Sequence, residues 1–143
     1  WNIKYGVEFL TTLCVTRIFF GGFHAKKAYV CKMSMAITFV CVMLASVIFK
    51  NISFTSLVLV LFGSFIVALP FVPVKHPNKN MTKEQRNRNK LSGVISYLIF
   101  SLLACLSWKY IDNTDGIIIA LSLCAVTVLV IIGSFINWQE VKT

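Results

Sequence analysis

Met33 to Phe49 reads M-S-M-A-I-T-F-V-C-V-M-L-A-S-V-I-F, Lys50-Asn51 follows, and Ile52 to Leu69 reads I-S-F-T-S-L-V-L-V-L-F-G-S-F-I-V-A-L. Neither run holds a charged residue, and each approaches the roughly 20 apolar residues that cross a bilayer core. With only Lys50-Asn51 between them, they form a tight transmembrane hairpin. Downstream, Pro70, Pro73 and Pro77 forbid a continuous helix from Leu69, and the stretch to Lys90 carries six basic residues against the single acid Glu84. That stretch reads as a solvated loop. A second apolar pair follows, Leu91 to Tyr110 and Gly116 to Trp138, joined by Asp112-Asn113-Thr114-Asp115. Trp108, Tyr110 and Trp138 fall where interfacial aromatics belong.

Upstream of the first hairpin, Glu8, Thr11, Thr12 and Thr16 recur at helical spacing between Gly6 and Phe20, and Phe9, Leu10, Leu13 and Phe20 cover much of the rest. Only eight uncharged residues separate Glu8 from Arg17, so this helix is expected to lie on, or dip into, the membrane as an interfacial element. Gly21-Gly22 ends it. The fold class is therefore all-α: a polytopic membrane protein with an N-terminal interfacial helix and two transmembrane hairpins, four main spans in all. One domain covers 1–143, divided into 1–32 (interfacial helix and motif), 33–69 (first hairpin), 70–90 (basic loop) and 91–138 (second hairpin).

Composition agrees. Of 143 residues, 57% are hydrophobic and 13% charged, far from a soluble average. The net charge of +9 has to be read by position, because lysines flanking membrane helices report orientation before they report a nucleic-acid partner. Lys26, Lys27, Lys32, the six of the central loop and Lys142 share one side of a four-span arrangement, with only Lys50 and Lys109 opposite. The basic side is the cytoplasm. No nucleic acid is expected as partner; anionic lipid headgroups are. No cleavable signal peptide is legible, and Trp1 in place of Met is expected to mean that the natural start is missing or renumbered. Five cysteines, three of them (Cys41, Cys105, Cys124) inside apolar runs, argue against a disulfide framework.

Chemistry concentrates in Arg17 to Lys32, R-I-F-F-G-G-F-H-A-K-K-A-Y-V-C-K. Cys31 precedes the first span and so belongs in the first turn of its helix, beside Lys32 and one turn after Lys27. A helix N-terminus and nearby cations lower a thiol pKa, and the thiolate is the nucleophilic form. His24 titrates near neutrality and can take the thiol proton, then return it to a leaving amine. The pair suggests a cysteine peptidase or acyl transferase. Against it stands coincidence, since a His and a Cys seven positions apart are weak evidence alone. Cys14, Cys41, Cys105 and Cys124 read as packing residues. His76, between Lys75 and Pro77, reads as a solvated histidine, with a second base or a metal ligand as alternatives. A zinc site from His24, Cys31 and His76 lacks a fourth ligand, so no metal and no cofactor are expected. Lys75, Lys79, Lys83, Arg86, Arg88 and Lys90 serve either as a positive-inside anchor or as a docking surface for an acidic peptide.

The R-x6-H-x6-C spacing of Arg17, His24 and Cys31, with G-G-F-H-A at its centre, resembles the accessory gene regulator B (AgrB) membrane peptidases. V-P-V-K-H-P-N-K from Val72, followed by a basic run and another membrane pair, is similar to that family's central loop, so the likeness covers nearly the whole chain. It implies a cysteine endopeptidase that removes the C-terminal part of a small AgrD-like quorum-sensing propeptide and holds the remainder as a thioester until a propeptide nucleophile closes a ring. By position it makes Cys31 the nucleophile, His24 the catalytic histidine, and Arg17, Gly21 and Gly22 the frame of the motif. The family's propeptides carry an amphipathic leader and an acidic tail, which suit the membrane surface and the basic loop. A second copy of the chain is a further candidate partner. The competing class is a non-enzymatic membrane scaffold or transporter subunit; no acid or histidine lies inside a span, which disfavours proton-coupled transport.

Helix arithmetic adds a geometric expectation. Seven residues at 1.5 Å rise separate His24 from Cys31 by about 10.5 Å along one straight helix, whereas a base must come within roughly 3 Å of the sulfur or act through one water. The chain is therefore expected to break, with His24 in a turn or at a helix end returning over the start of the Cys31 helix and Arg17 facing the same pocket. One unbroken helix over 22–34 with His76 against the sulfur would instead make His76 the base.

Overall fold

The last apolar run becomes the centre of the molecule. In the computed structural model, which describes residues 3–20, 28–72 and 82–140 (side chains at 28, 30, 31 and 136–140 excepted), five α-helices form a bundle. They are α1 (Ile3–Phe20), α2 (Ala28–Ile48), α3 (Phe54–Ala68), α4 (Lys83–Tyr110) and α5 (Asn113–Glu140), with a 3-10 turn, Leu69–Phe71, after α3. Helix α5 packs against each of the other four. Of the most apolar 18 residues of α5, 67% are buried, against 17% and 22% of those in the stretches of α3 and α4. Ile117, Ile118, Leu123, Val126 and Val130 are almost wholly enclosed.

The outer helices turn large apolar side chains outward, among them Ile37, Val40, Leu44 and Val47 of α2 and Leu59, Phe62, Leu98 and Leu102 of α3 and α4. A soluble protein seldom exposes so much contiguous apolar surface; a bilayer covers it. Three stretches, Phe54–Phe71, Lys83–Tyr110 and Asn113–Phe135, are long and apolar enough to cross a membrane. The remaining expected span falls on α2, whose described apolar part is Lys32–Ile48. The chain is thus an all-α membrane protein, and no strand occurs among the described residues.

Helix α1 is present but faces differently from the sequence reading. It runs along α4 and α5 from Lys4, whose ammonium donates to Asp115, to Phe20, whose ring lies against Gly93. Its threonine stripe turns inward: Thr12, Thr16 and Arg17 are buried with Phe9, Leu13 and Phe20, while Thr11 is exposed. The reason is local. Thr16 Oγ1 donates to the Thr12 carbonyl at 2.6 Å, so its hydroxyl enters the core already satisfied. At the other end Lys4 also lies 3.8 Å from Glu8. Its hydrogen bond to Asp115 raises the Lys4 pKa, and burial, followed by the negative charge of Asp115, raises that of Glu8.

Two boundaries move. The basic stretch expected as loop as far as Lys90 is helical from Lys83, because Thr82 and Gln85 form a capping box: the Gln85 N–H donates to Thr82 Oγ1 (3.3 Å) and the Thr82 N–H to Gln85 Oε1 (3.4 Å). The four-residue link Asp112–Asp115 shrinks to Ile111 and Asp112, since Asp112 Oδ1 accepts from the Thr114 N–H at 3.0 Å and starts α5 at Asn113.

Candidate functional site

Cys31 is the fourth residue of α2, so its backbone lies in the first helical turn, as the apolar run required. There the unsatisfied N–H groups and the positive end of the helix dipole favour an anion. Lys32 follows it and is exposed. An apolar groove of about 570 Å³ opens between α2 and α5, lined toward the start of α2 by Met33, Ser34, Ile37 and Ile132.

The helix directions decide what shares that end of the bundle. Tyr5, Met43, Lys50 and Thr114 line one small cavity, and the Phe54 and Trp108 rings lie 5.2 Å apart, so the start of α1, end of α2, start of α3, end of α4 and start of α5 meet at one end. The opposite end gathers the C-terminus of α1, the first turn of α2, the exit of α3 and the beginning of α4. Phe20 lies against Gly93 there, and the rings of Phe71 and Phe135 are 6.3 Å apart. Cys31, Arg17 and the basic start of α4 therefore belong to the same end, while Lys4, Lys50 and Lys109 sit at the other.

Arg17 occupies the last turn of α1 and is 9% exposed, on the face that carries Thr16 and Phe20. Lys83, Arg86, Arg88 and Lys90 are exposed along the first two turns of α4. Gly21, Gly22, His24, Lys75, His76 and Lys79 lie outside the described residues, and with them both arrangements of the base and the zinc alternative. Among the described residues no group of three His, Cys, Asp or Glu could hold a metal. Cys14, Cys41, Cys105 and Cys124 are free thiols on the helices.

Sequence reasoning missed the lock at the end of α1. Phe20 stacks on Tyr97 (centroids 5.9 Å, planes 18° apart), and both side chains are 1% exposed. Tyr97 in turn bonds Ser64 Oγ at 2.5 Å and donates to the Leu61 carbonyl at 3.3 Å, tying α1 through α4 to α3. The only signal was Gly93 inside a helix, where a glycine needs a reason.

Neither a curated protein nor a solved structure matches the chain. A family profile does: that of accessory gene regulator B, over residues 2–137, which takes in α1 to α4, all but the last three residues of α5, and the R-x6-H-x6-C motif. With that coverage, and with an all-α membrane bundle that places Arg17 and Cys31 at one end, the chain belongs to the accessory gene regulator B (AgrB) family, which acts in the processing of a quorum-sensing peptide.

Proposed function

We propose that the protein is a membrane cysteine endopeptidase acting on an AgrD-like propeptide, with Cys31 as nucleophile and His24 as base. The observation that carries this is the place of Cys31 in the first turn of α2, at the end of the bundle that also holds buried Arg17 and the basic start of α4. His24 takes the thiol proton, and the thiolate attacks the scissile carbonyl. The C–N bond breaks as the imidazolium returns its proton to the leaving amine, and the C-terminal fragment departs. The retained part remains as an acyl-thioester on Cys31 until a propeptide nucleophile attacks the same carbonyl, closes the ring and restores the thiolate. A thioester keeps the reactivity that hydrolysis would discard.

The basic end faces the cytoplasm in this reading, by the excess of Lys and Arg there. Lys75, Lys79, Lys83, Arg86, Arg88 and Lys90 then bind the acidic tail of the propeptide and the anionic lipid surface. This reading requires the chain to turn between α1 and His24, a turn that Gly21 and Gly22 permit because they carry no Cβ. The test is co-expression with the propeptide: Cys31→Ala and His24→Ala should each abolish cleavage while leaving membrane insertion intact, because nucleophile and base act as one unit. Cys31→Ser should fail as well. Normal cleavage by Cys31→Ala ends the peptidase reading at this residue and makes Cys14 the next thiol to examine.

A further inference from the structure

Where the start of α1 meets the start of α5, two acids share one ammonium. Lys4 donates to Asp115 Oδ2 and lies 3.8 Å from Glu8 Oε1. The Lys4 side chain is half-exposed, that of Glu8 is 21% exposed and that of Asp115 only 1%. The second oxygen of each acid, Glu8 Oε2 and Asp115 Oδ1, is buried without a hydrogen-bond partner. Leaving a buried polar atom unpaired is costly, and an ionised carboxylate can only accept. The two orphaned oxygens therefore cannot satisfy each other while both acids are charged.

The charges at this end of the bundle make the same count. Around the three residues stand Tyr5 on α1, Asp112 just before α5, Lys50 after α2, which lines a small cavity with Tyr5 and Thr114, and Lys109 near the end of α4, which lies over the Tyr110 ring at 5.5 Å. Among the described residues, the ion pairs of both acids go to Lys4 alone. One positive charge thus faces two negative ones where burial, and then the charge of Asp115, already disfavour an ionised Glu8, with Lys4 opposing them and Asp112 adding to them. A single proton resolves both counts. On Glu8 Oε2 it turns an orphaned acceptor into a donor, gives Asp115 Oδ1 its missing partner, and leaves Lys4 and Asp115 as a balanced pair. Because the two carboxyls interact, such a proton belongs to the pair and not to either acid alone.

We infer that Glu8 and Asp115 bind one proton between them, and that this proton, together with Lys4, closes the start of α1 on the start of α5. The inference is independent of the roles of His24 and Cys31. When the proton leaves, a second buried carboxylate faces Asp115 and the closure weakens, so its contribution to stability is lost as pH rises through the folded-state value. Full-length protein is followed from about pH 4 to pH 9 by infrared difference spectroscopy in liposomes and by melting temperature in mixed micelles. A protonated-carboxyl band should disappear in one step that coincides with a fall in melting temperature. Glu8→Gln should remove the band and the step and keep the higher melting temperature, because its amide donates to Asp115 Oδ1 at every pH. The two partner variants should move the step in opposite directions. Asp115→Asn removes the neighbouring negative charge and should lower the midpoint by about 1 pH unit, whereas Lys4→Met removes the opposing cation and should raise it by about 1 pH unit. Exchanging choline for sodium at constant ionic strength should leave the midpoint where it is. A band identical in wild type and Glu8→Gln, or partner variants that lower the melting temperature without shifting the step, overturns the inference. A midpoint that falls as sodium rises overturns it too, by making the site one for a metal ion. Should Lys4→Met not insert, Asp115→Asn measured against Glu8→Gln decides the matter by the same band.

Discussion

Replacing Gly116 by alanine puts a methyl group where two helices touch backbone to backbone. Its Cβ would stand 2.5 Å from Trp108 Cβ, 2.6 Å from the Ala104 carbonyl oxygen and 2.8 Å from the Trp108 nitrogen. Two of these three atoms are main chain, so no rotamer change relieves them. Reaching 3.4 Å requires α4 and α5 to part by about 0.9 Å at this corner. Small residues let membrane helices approach closely, and lipid supplies no compensating hydrophobic force between them. Overpacking of this kind costs about 1–3 kcal/mol, and the upper end applies because the obstruction is backbone. At 3 kcal/mol the folded-to-unfolded ratio falls roughly 100-fold. Gly63 provides the contrast, since nothing lies within 4 Å of a Cβ built there. Gly63→Ala should be neutral or stabilising by up to about 1 kcal/mol, the ordinary gain over glycine in a helix. Reversible unfolding in mixed micelles, with far-ultraviolet circular dichroism as readout, compares the two. If Gly116→Ala unfolds at the same midpoint as Gly63→Ala, the close approach of α4 and α5 is not as described.

Changing Lys79, Lys83, Arg86 and Arg88 together to glutamine should raise KM for the propeptide and flatten its salt dependence, since exposed charges are screened with a Debye length of about 8 Å at physiological ionic strength. Unchanged KM with altered topology would assign these residues to membrane anchoring alone. Glu8 gives a pH prediction: its carboxyl is raised above 4.5 by burial and then by Asp115, so the folded state holds the proton more tightly than the unfolded one. Stability should therefore fall as pH rises from about 4.5 through the raised value, and Glu8→Gln should abolish that fall. Parallel melting-temperature profiles for the two proteins would contradict it.

The apolar runs around Lys50-Asn51 and on either side of Asp112 were legible because length and hydropathy alone mark membrane helices. The facing of α1 was not. Thr12 and Thr16 read as a polar stripe for water, yet hydroxyls that bond within their own helix can be buried, and α5 offered a face to bury them against. The start of α4 was present in T-K-E-Q at Thr82, but the run of charges after it looked like loop. In the site, spacing pointed to Cys31 and Arg17, and helix order brought them to one end of the bundle. The Phe20–Gly93–Tyr97 slot joins residues more than seventy positions apart, and no local pattern announces such a contact.

The acyl-enzyme tests the central claim most directly. Wild-type protein mixed with propeptide in liposomes, quenched in acid and digested, should yield the Cys31 peptide carrying the N-terminal part of the substrate through a hydroxylamine-sensitive bond, seen by mass spectrometry. The adduct should be absent from Cys31→Ala and should accumulate when the propeptide's ring-closing nucleophile is removed. Efficient cleavage with an unmodified Cys31 peptide, or an adduct on Cys14 instead, would contradict the account.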